Sequence, residues 1–168
     1  MQRKINFMFY TPPLEDHRMN RAVAWYDPPY SHVEIGFENG VASSICAGET
    51  VSMHPRNYMN PNYDVLTLGV SEQAYNSVRA FCARAHENKV GFDNFGMFLS
   101  VLPFRFFPAY GDRTFCSRYV TEALQHGDIE HVRGLDSRSV TPSKLHAALS
   151  GRGGAIFDTV PGRCLRIT

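Results

Sequence analysis

Two strand-like runs that meet at Asn39-Gly40 constrain the folding of this chain more than any other feature. Ser31 to Glu38 alternates, with Val33, Ile35 and Phe37 on one side and His32, Glu34 and Gly36 on the other, which is the period of a half-buried strand. Val41 to Cys46, running on towards Met53, follows directly. Asn-Gly readily supplies the positive φ angles of a tight hairpin, so the two runs are expected to pair antiparallel. If Val33, Ile35 and Phe37 face the core, His32 faces a cleft.

The remaining elements are arranged around this hairpin. Lys4 to Tyr10 has the pattern of a first strand, and Thr11 to Pro29, with Pro12-Pro13 and Pro28-Pro29, that of a connection with a short helix from Asp16 to Tyr26. Asp64 to Val70 predicts a strand leading into Ser71, an N-cap for a helix with Ala74, Val78, Phe81, Cys82 and Ala85 at helical spacing. Gly127 suits a C-terminal cap, and Thr141-Pro142 opens a helix to about Leu149. Short strands are expected around Ala155 to Val160 and Cys164 to Ile167. Between Gly91 and Tyr110 the chain is aromatic without a single period, either packing beneath a later helix or lining a cleft for an apolar substrate.

At 168 residues the chain has the length of one domain, 1–168, with a substantial core. A net charge of +1 with no single-sign run argues against nucleic acid as a partner. No apolar run approaches bilayer length and the N-terminus carries no secretion-signal pattern, so no transmembrane segment is expected. Cys46, Cys82, Cys116 and Cys164 lack CxxC spacing, and the seven histidines lack HxxxH or HExxH spacing. Free thiols in a cytoplasmic or other intracellular compartment are expected, with no metal and no cofactor. The glycines at 151, 153 and 154 mark a loop and, without a phosphate-binding lysine and helix, give little support for a nucleotide.

Cys116 lies where a loop containing Gly111, Asp112 and Thr114 gives way to a helical pattern whose apolar face is Tyr119, Val120, Ala123 and Leu124. A thiol in a first helical turn meets unpaired N–H groups and the positive end of the dipole, both of which favour thiolate. His32, on a rigid strand, suits the accompanying proton carrier. The commoner fates are plainer: a small buried hydrophobe for cysteine and a carbonyl-bonded strand imidazole for histidine.

The motifs Ser31-His32-Val33-Glu34-Ile35, the Asn39-Gly40 hairpin, Phe115-Cys116-Ser117 with Val120, and Thr141-Pro142-Ser143 with Leu145 together resemble the circularly permuted papain-like thiol hydrolases. These are relatives of the NlpC-type cell-wall peptidases and include the lecithin:retinol acyltransferase-like enzymes. The resemblance runs from about residue 30 to about residue 150, and the histidine precedes the cysteine by 84 residues, as the permuted order requires. It implies an α+β permuted papain-like fold, an antiparallel sheet packed against the nucleophile helix. It implies a cysteine-dependent hydrolase (thiol protease, peptidase or amidase) or acyltransferase that works through an acyl-cysteine on an amide, peptide, isopeptide or lipid-acyl bond. Cys116 would be the nucleophile and His32 the base and acid, with the Cys116 N–H donating to the oxyanion.

Relatives commonly carry a histidine or an acid on the strand after the histidine, to orient the imidazole. Here Val41 to Cys46 has neither; Ser44 or Cys46 would occupy the matching face, and Glu34, two residues from His32, is the other candidate third member. The plainer expectation for Glu34 is a solvated strand residue. The departure keeps open an alternative, a weak or inactive member acting as a protein- or lipid-binding module. Peripheral membrane contact through Phe92 to Tyr110 is also open, as is a redox role for Cys116, although no second cysteine lies near it in sequence.

Overall fold

The computed structural model describes residues 2–16, 18–56, 60–94, 97 and 113–151. Five strands, β1 (Gln2–Tyr10), β2 (His32–Phe37), β3 (Val41–Ser44), β4 (Ser52–Pro55) and β5 (Tyr63–Ser71), form one antiparallel sheet in the order β4-β3-β2-β1-β5. Helix α1 (Arg18–Tyr26) lies between β1 and β2; α2 (Glu72–Glu87), α3 (Cys116–His126) and α4 (Pro142–Ser150) follow the sheet. The architecture is α+β. A short parallel pair, β6 (Gly91–Phe92) with β7 (Arg113–Thr114), has no counterpart in the sequence expectations.

The β2–β3 hairpin forms at Asn39-Gly40, where Gly40 has φ 76° and its N–H bonds to the Phe37 carbonyl. The third strand does not run on towards Met53 as expected. It stops at Ser44, the chain turns through Gly48 at φ 83°, and Ser52–Pro55 returns as a separate strand against β3. A single positive-φ glycine is enough to reverse the chain there, and strand propensity on either side cannot override it.

Ile5, Phe7 and Phe9 of β1, Val33, Ile35 and Phe37 of β2, Ile45, and Leu66 and Leu68 of β5 make one continuous apolar face. Against it pack Tyr75, Val78 and Cys82 of α2 and Tyr119, Val120, Ala123 and Leu124 of α3. Ser71 caps α2 by accepting from the Ala74 N–H, and Thr141 caps α4 by accepting from the Lys144 N–H with Pro142 at the first position. The two long helices come together at Gly127, which closes α3. A Cβ there would stand 2.5 Å from Val78 Cγ2 and 3.1 Å from the Ala74 carbonyl oxygen.

The opposite sheet face is covered in one place, contrary to simple alternation, while Lys4 on the same face is exposed and Asn6, Val65 and Thr67 are half-buried. Met8 and Glu34, paired across β1 and β2, are both buried. Among the described residues no helix is long and apolar enough to cross a membrane. Of the aromatic run Phe92 to Tyr110, all but residues 92–94 and 97 lie outside the described residues, as do the strands expected at Ala155 to Val160 and Cys164 to Ile167.

Candidate active site

Helix α3 begins at Cys116 because Phe115 holds an extended backbone, φ −126° and ψ 163°, and the helical pattern starts immediately after it. Phe115 offers no side-chain acceptor, so it makes no side-chain cap, and the Ser117 N–H turns to the Cys116 thiol instead. A serine or aspartate there would have made a more stable helix. The phenylalanine is buried in the core and leaves the Cys116 thiol beside uncapped donors.

His32 opens β2, at the end of the strand where Ser31 N–H bonds to the Tyr10 carbonyl. Its side chain is 14% exposed, and the whole of Cys116 is 6% exposed. Burial by itself would depress the imidazole pKa. The charge of the Cys116 thiolate overrides it, with hydrogen bonding to Cys116, Cys46 and Glu34, and raises His32 well above its ordinary value. Burial likewise pushes the Cys116 thiol up, but the His32 imidazolium and hydrogen bonds from His32 and the Val33 and Ser117 N–H groups bring it below the ordinary range. Each group thus moves the other towards its charged form, thiolate for Cys116 and imidazolium for His32.

Glu34 is fully buried, where a solvated residue was expected. Its Oε1 lies 3.7 Å from His32 Nε2, and Arg56 grips it with two bonds, Nη2 to Oε1 at 2.6 Å and Nε to Oε2 at 3.2 Å. Tyr63 donates its hydroxyl to Oε1 at 3.3 Å. Burial and then the Glu34 charge push the Tyr63 pKa up to about 12, so the phenol keeps its proton and acts as donor. A guanidinium and a phenol thus compensate the burial of the Glu34 carboxyl behind the imidazole.

Ser44 occupies a different place. The β2–β3 register, Ile35 opposite Ser43 and Gly36 opposite Ala42, carries on to set Ser44 beside Glu34 and Cys46 beside His32. Ser44 is buried and no side-chain hydrogen bond joins it to His32, whereas Cys46 Sγ lies 4.0 Å from His32 Nε2. Arg56 and Tyr63 were absent from the sequence reading. They reach Glu34 from 22 and 29 residues away, at the end of β4 and the start of β5, and no local spacing marks them.

Two further polar features adjoin the site. The Ser31 hydroxyl, next to His32 in sequence, is buried without a hydrogen-bond partner. Tyr119, one turn into α3, bonds its hydroxyl to Ser43 Oγ at 2.6 Å, and Ser43 donates to the Ser52 carbonyl at 3.3 Å. Helix α3 is thus tied to β3 and β4 through buried hydroxyls. Cys82 lies nearby in the core, its thiol pushed up to about 11 by burial. Among the described residues no three histidine, cysteine or carboxylate side chains converge as a metal site. Comparison with known proteins adds nothing to this geometry, since no family model, curated protein or solved structure matches the chain.

Proposed function

We propose that the chain is a cysteine-dependent hydrolase or acyltransferase of the circularly permuted papain-like type, acting on an amide, peptide, isopeptide or lipid-acyl bond. One observation carries the reading: a first-turn cysteine and a strand-borne histidine, each moving the other towards its charged form. In the proposed reaction the Cys116 thiolate attacks the substrate carbonyl carbon and the oxyanion takes up N–H groups at the uncapped start of α3. His32 gives its proton to the departing amine or alcohol, leaving an acyl-cysteine. Water or an acceptor hydroxyl or amine, deprotonated by the now neutral His32, then attacks that thioester, and the thiolate leaves as the imidazolium is restored.

Glu34 takes the orienting role that no acid on β3 fills, holding His32 from the Nε2 side while Arg56 and Tyr63 hold the carboxylate. The alternative of an inactive binding module drew its support from the lack of such an acid, and the buried carboxylate at 3.7 Å weakens it.

The test is iodoacetamide labelling of each cysteine against pH, followed by mass spectrometry, in wild type and His32→Ala. Cys116 is expected to label ahead of Cys46 and Cys82, with an apparent pKa below the ordinary thiol range that is lost in the variant. Slow labelling of Cys116, indifferent to His32, would defeat the catalytic reading.

A further inference from the structure

The connection between β1 and β2 carries a helix that faces outward in the wrong sense for an ordinary surface helix. Along α1 the exposed positions are Arg18, Arg21, Ala22, Trp25 and Tyr26, at the spacing of one helical stripe, and Leu14 extends the stripe one turn before the helix. Leu14 is 82% exposed and Trp25 86%. An amphipathic helix normally turns such residues to the core; here they share the solvent side with two arginines. The open groove beside the stripe, about 680 Å³, is lined by Pro12, Pro13, Leu14, Arg18, Arg21 and Trp25 with two alanines, and among the described residues by no acidic side chain. Neither guanidinium makes an ion pair with a described residue.

The excursion is anchored just after the helix and at its base in the sheet. Ser143 donates to the Asp27 carbonyl at 2.7 Å, the Thr141 hydroxyl bonds the Asp27 carboxylate, and Ser31 N–H bonds the Tyr10 carbonyl at 2.9 Å. Tyr10 is the register partner of His32, so the excursion bearing α1 leaves and re-enters the sheet beside the base.

We infer that the Leu14–Arg18–Arg21–Trp25–Tyr26 face docks the protein onto an anionic lipid surface. Tryptophan and tyrosine rings prefer the interface between headgroups and acyl chains, and arginines interleaved with them attract anionic headgroups. A bilayer accepts a short face with two arginines among exposed apolar and aromatic residues, and the lone exposed acid among the described residues beside it, Glu15, with no need for the shape complementarity that a globular protein partner would require over a larger area. Docking in this way sets the Cys116–His32 pair close to the lipid, where acyl-bearing substrates are found. The docking itself does not depend on the thiol chemistry and is measurable in Cys116→Ser.

Trp25 is the one tryptophan of the chain, so intrinsic fluorescence reads this face alone. Emission of wild type and of Cys116→Ser is followed on titration with phosphatidylcholine vesicles, with or without phosphatidylserine, some carrying brominated acyl chains. A blue shift and bromine quenching on the anionic vesicles alone are expected, and Arg18→Gln with Arg21→Gln should weaken binding about thirtyfold. The inference is overturned by an unmoved spectrum at millimolar anionic lipid, which would leave the face to a protein partner. Equal responses to neutral and anionic vesicles, or a shift with protein concentration alone, would overturn it as well.

Discussion

At the scale of single residues the candidate site is a chain of compensated charges. The His32 charge draws the Cys116 pKa down, the Cys116 charge draws the His32 pKa up, and Glu34 behind the imidazole adds to the second shift. Activity should therefore rise with pH as the lowered Cys116 pKa is passed and fall again as the raised His32 pKa is passed, since the proton for the leaving group is then gone. A bell wider than unperturbed thiol and imidazole would allow is expected in the pH–rate profile of any substrate found. Glu34→Gln removes a negative neighbour, so the His32 pKa falls and the Cys116 labelling profile moves to higher pH. It also removes the Glu34 charge from the Arg56 guanidinium, at a cost of about 1–3 kcal/mol in urea unfolding, moderated because the Arg56 side chain is 37% exposed. If stability drops while the labelling profile stays in place, Glu34 is structural and does not position the base. The sequence placed Glu34 on the His32 face correctly but could not show that this face is covered there. Alternation predicts which side a residue takes, whereas its burial is decided by elements such as Arg56 and Tyr63 that arrive from other strands.

At the scale of elements, the features written in local chemistry were legible. The Asn39-Gly40 hairpin, the Ser71 and Thr141 caps and the Gly127 stop all carry their own turn or cap residues within a few positions. The independence of β4 was not legible, because Gly48 sits in a stretch whose flanks both have strand character. Gly127 has a second role that sequence alone did not reveal, since it lets α2 and α3 approach. Gly127→Ala should cost about 1–3 kcal/mol by pressing on Val78. Combining it with Val78→Ala should recover part of that loss in urea unfolding, and an additive loss would show that the crowding lies elsewhere.

Across the whole molecule, α4 is joined to the sheet by a polar cluster separate from the candidate site. Tyr30 donates to Asp64 at 2.5 Å, His146 Nε2 lies 3.0 Å from the same carboxylate, and the His146 ring packs edge-on to Phe9 at 4.9 Å. Asp64→Ala should cost about 1–2 kcal/mol and speed amide exchange in α4, leaving the pH profile of Cys116 labelling unchanged. A changed profile would mean that α4 is coupled to the thiol. The 84 residues between His32 and Cys116 also separate the two groups during folding. All five strands of the main sheet lie within residues 2–71, while Cys116 begins a helix outside it, so the shifts that His32 and Cys116 impose on each other need the packed molecule. In unfolded chains the same thiol returns to an ordinary pKa of about 8.5. At mildly acidic pH an alkylating reagent would then count folded molecules, whereas at alkaline pH it would mark folded and unfolded ones alike, so the same modified cysteine carries information about folding in one condition and none in the other.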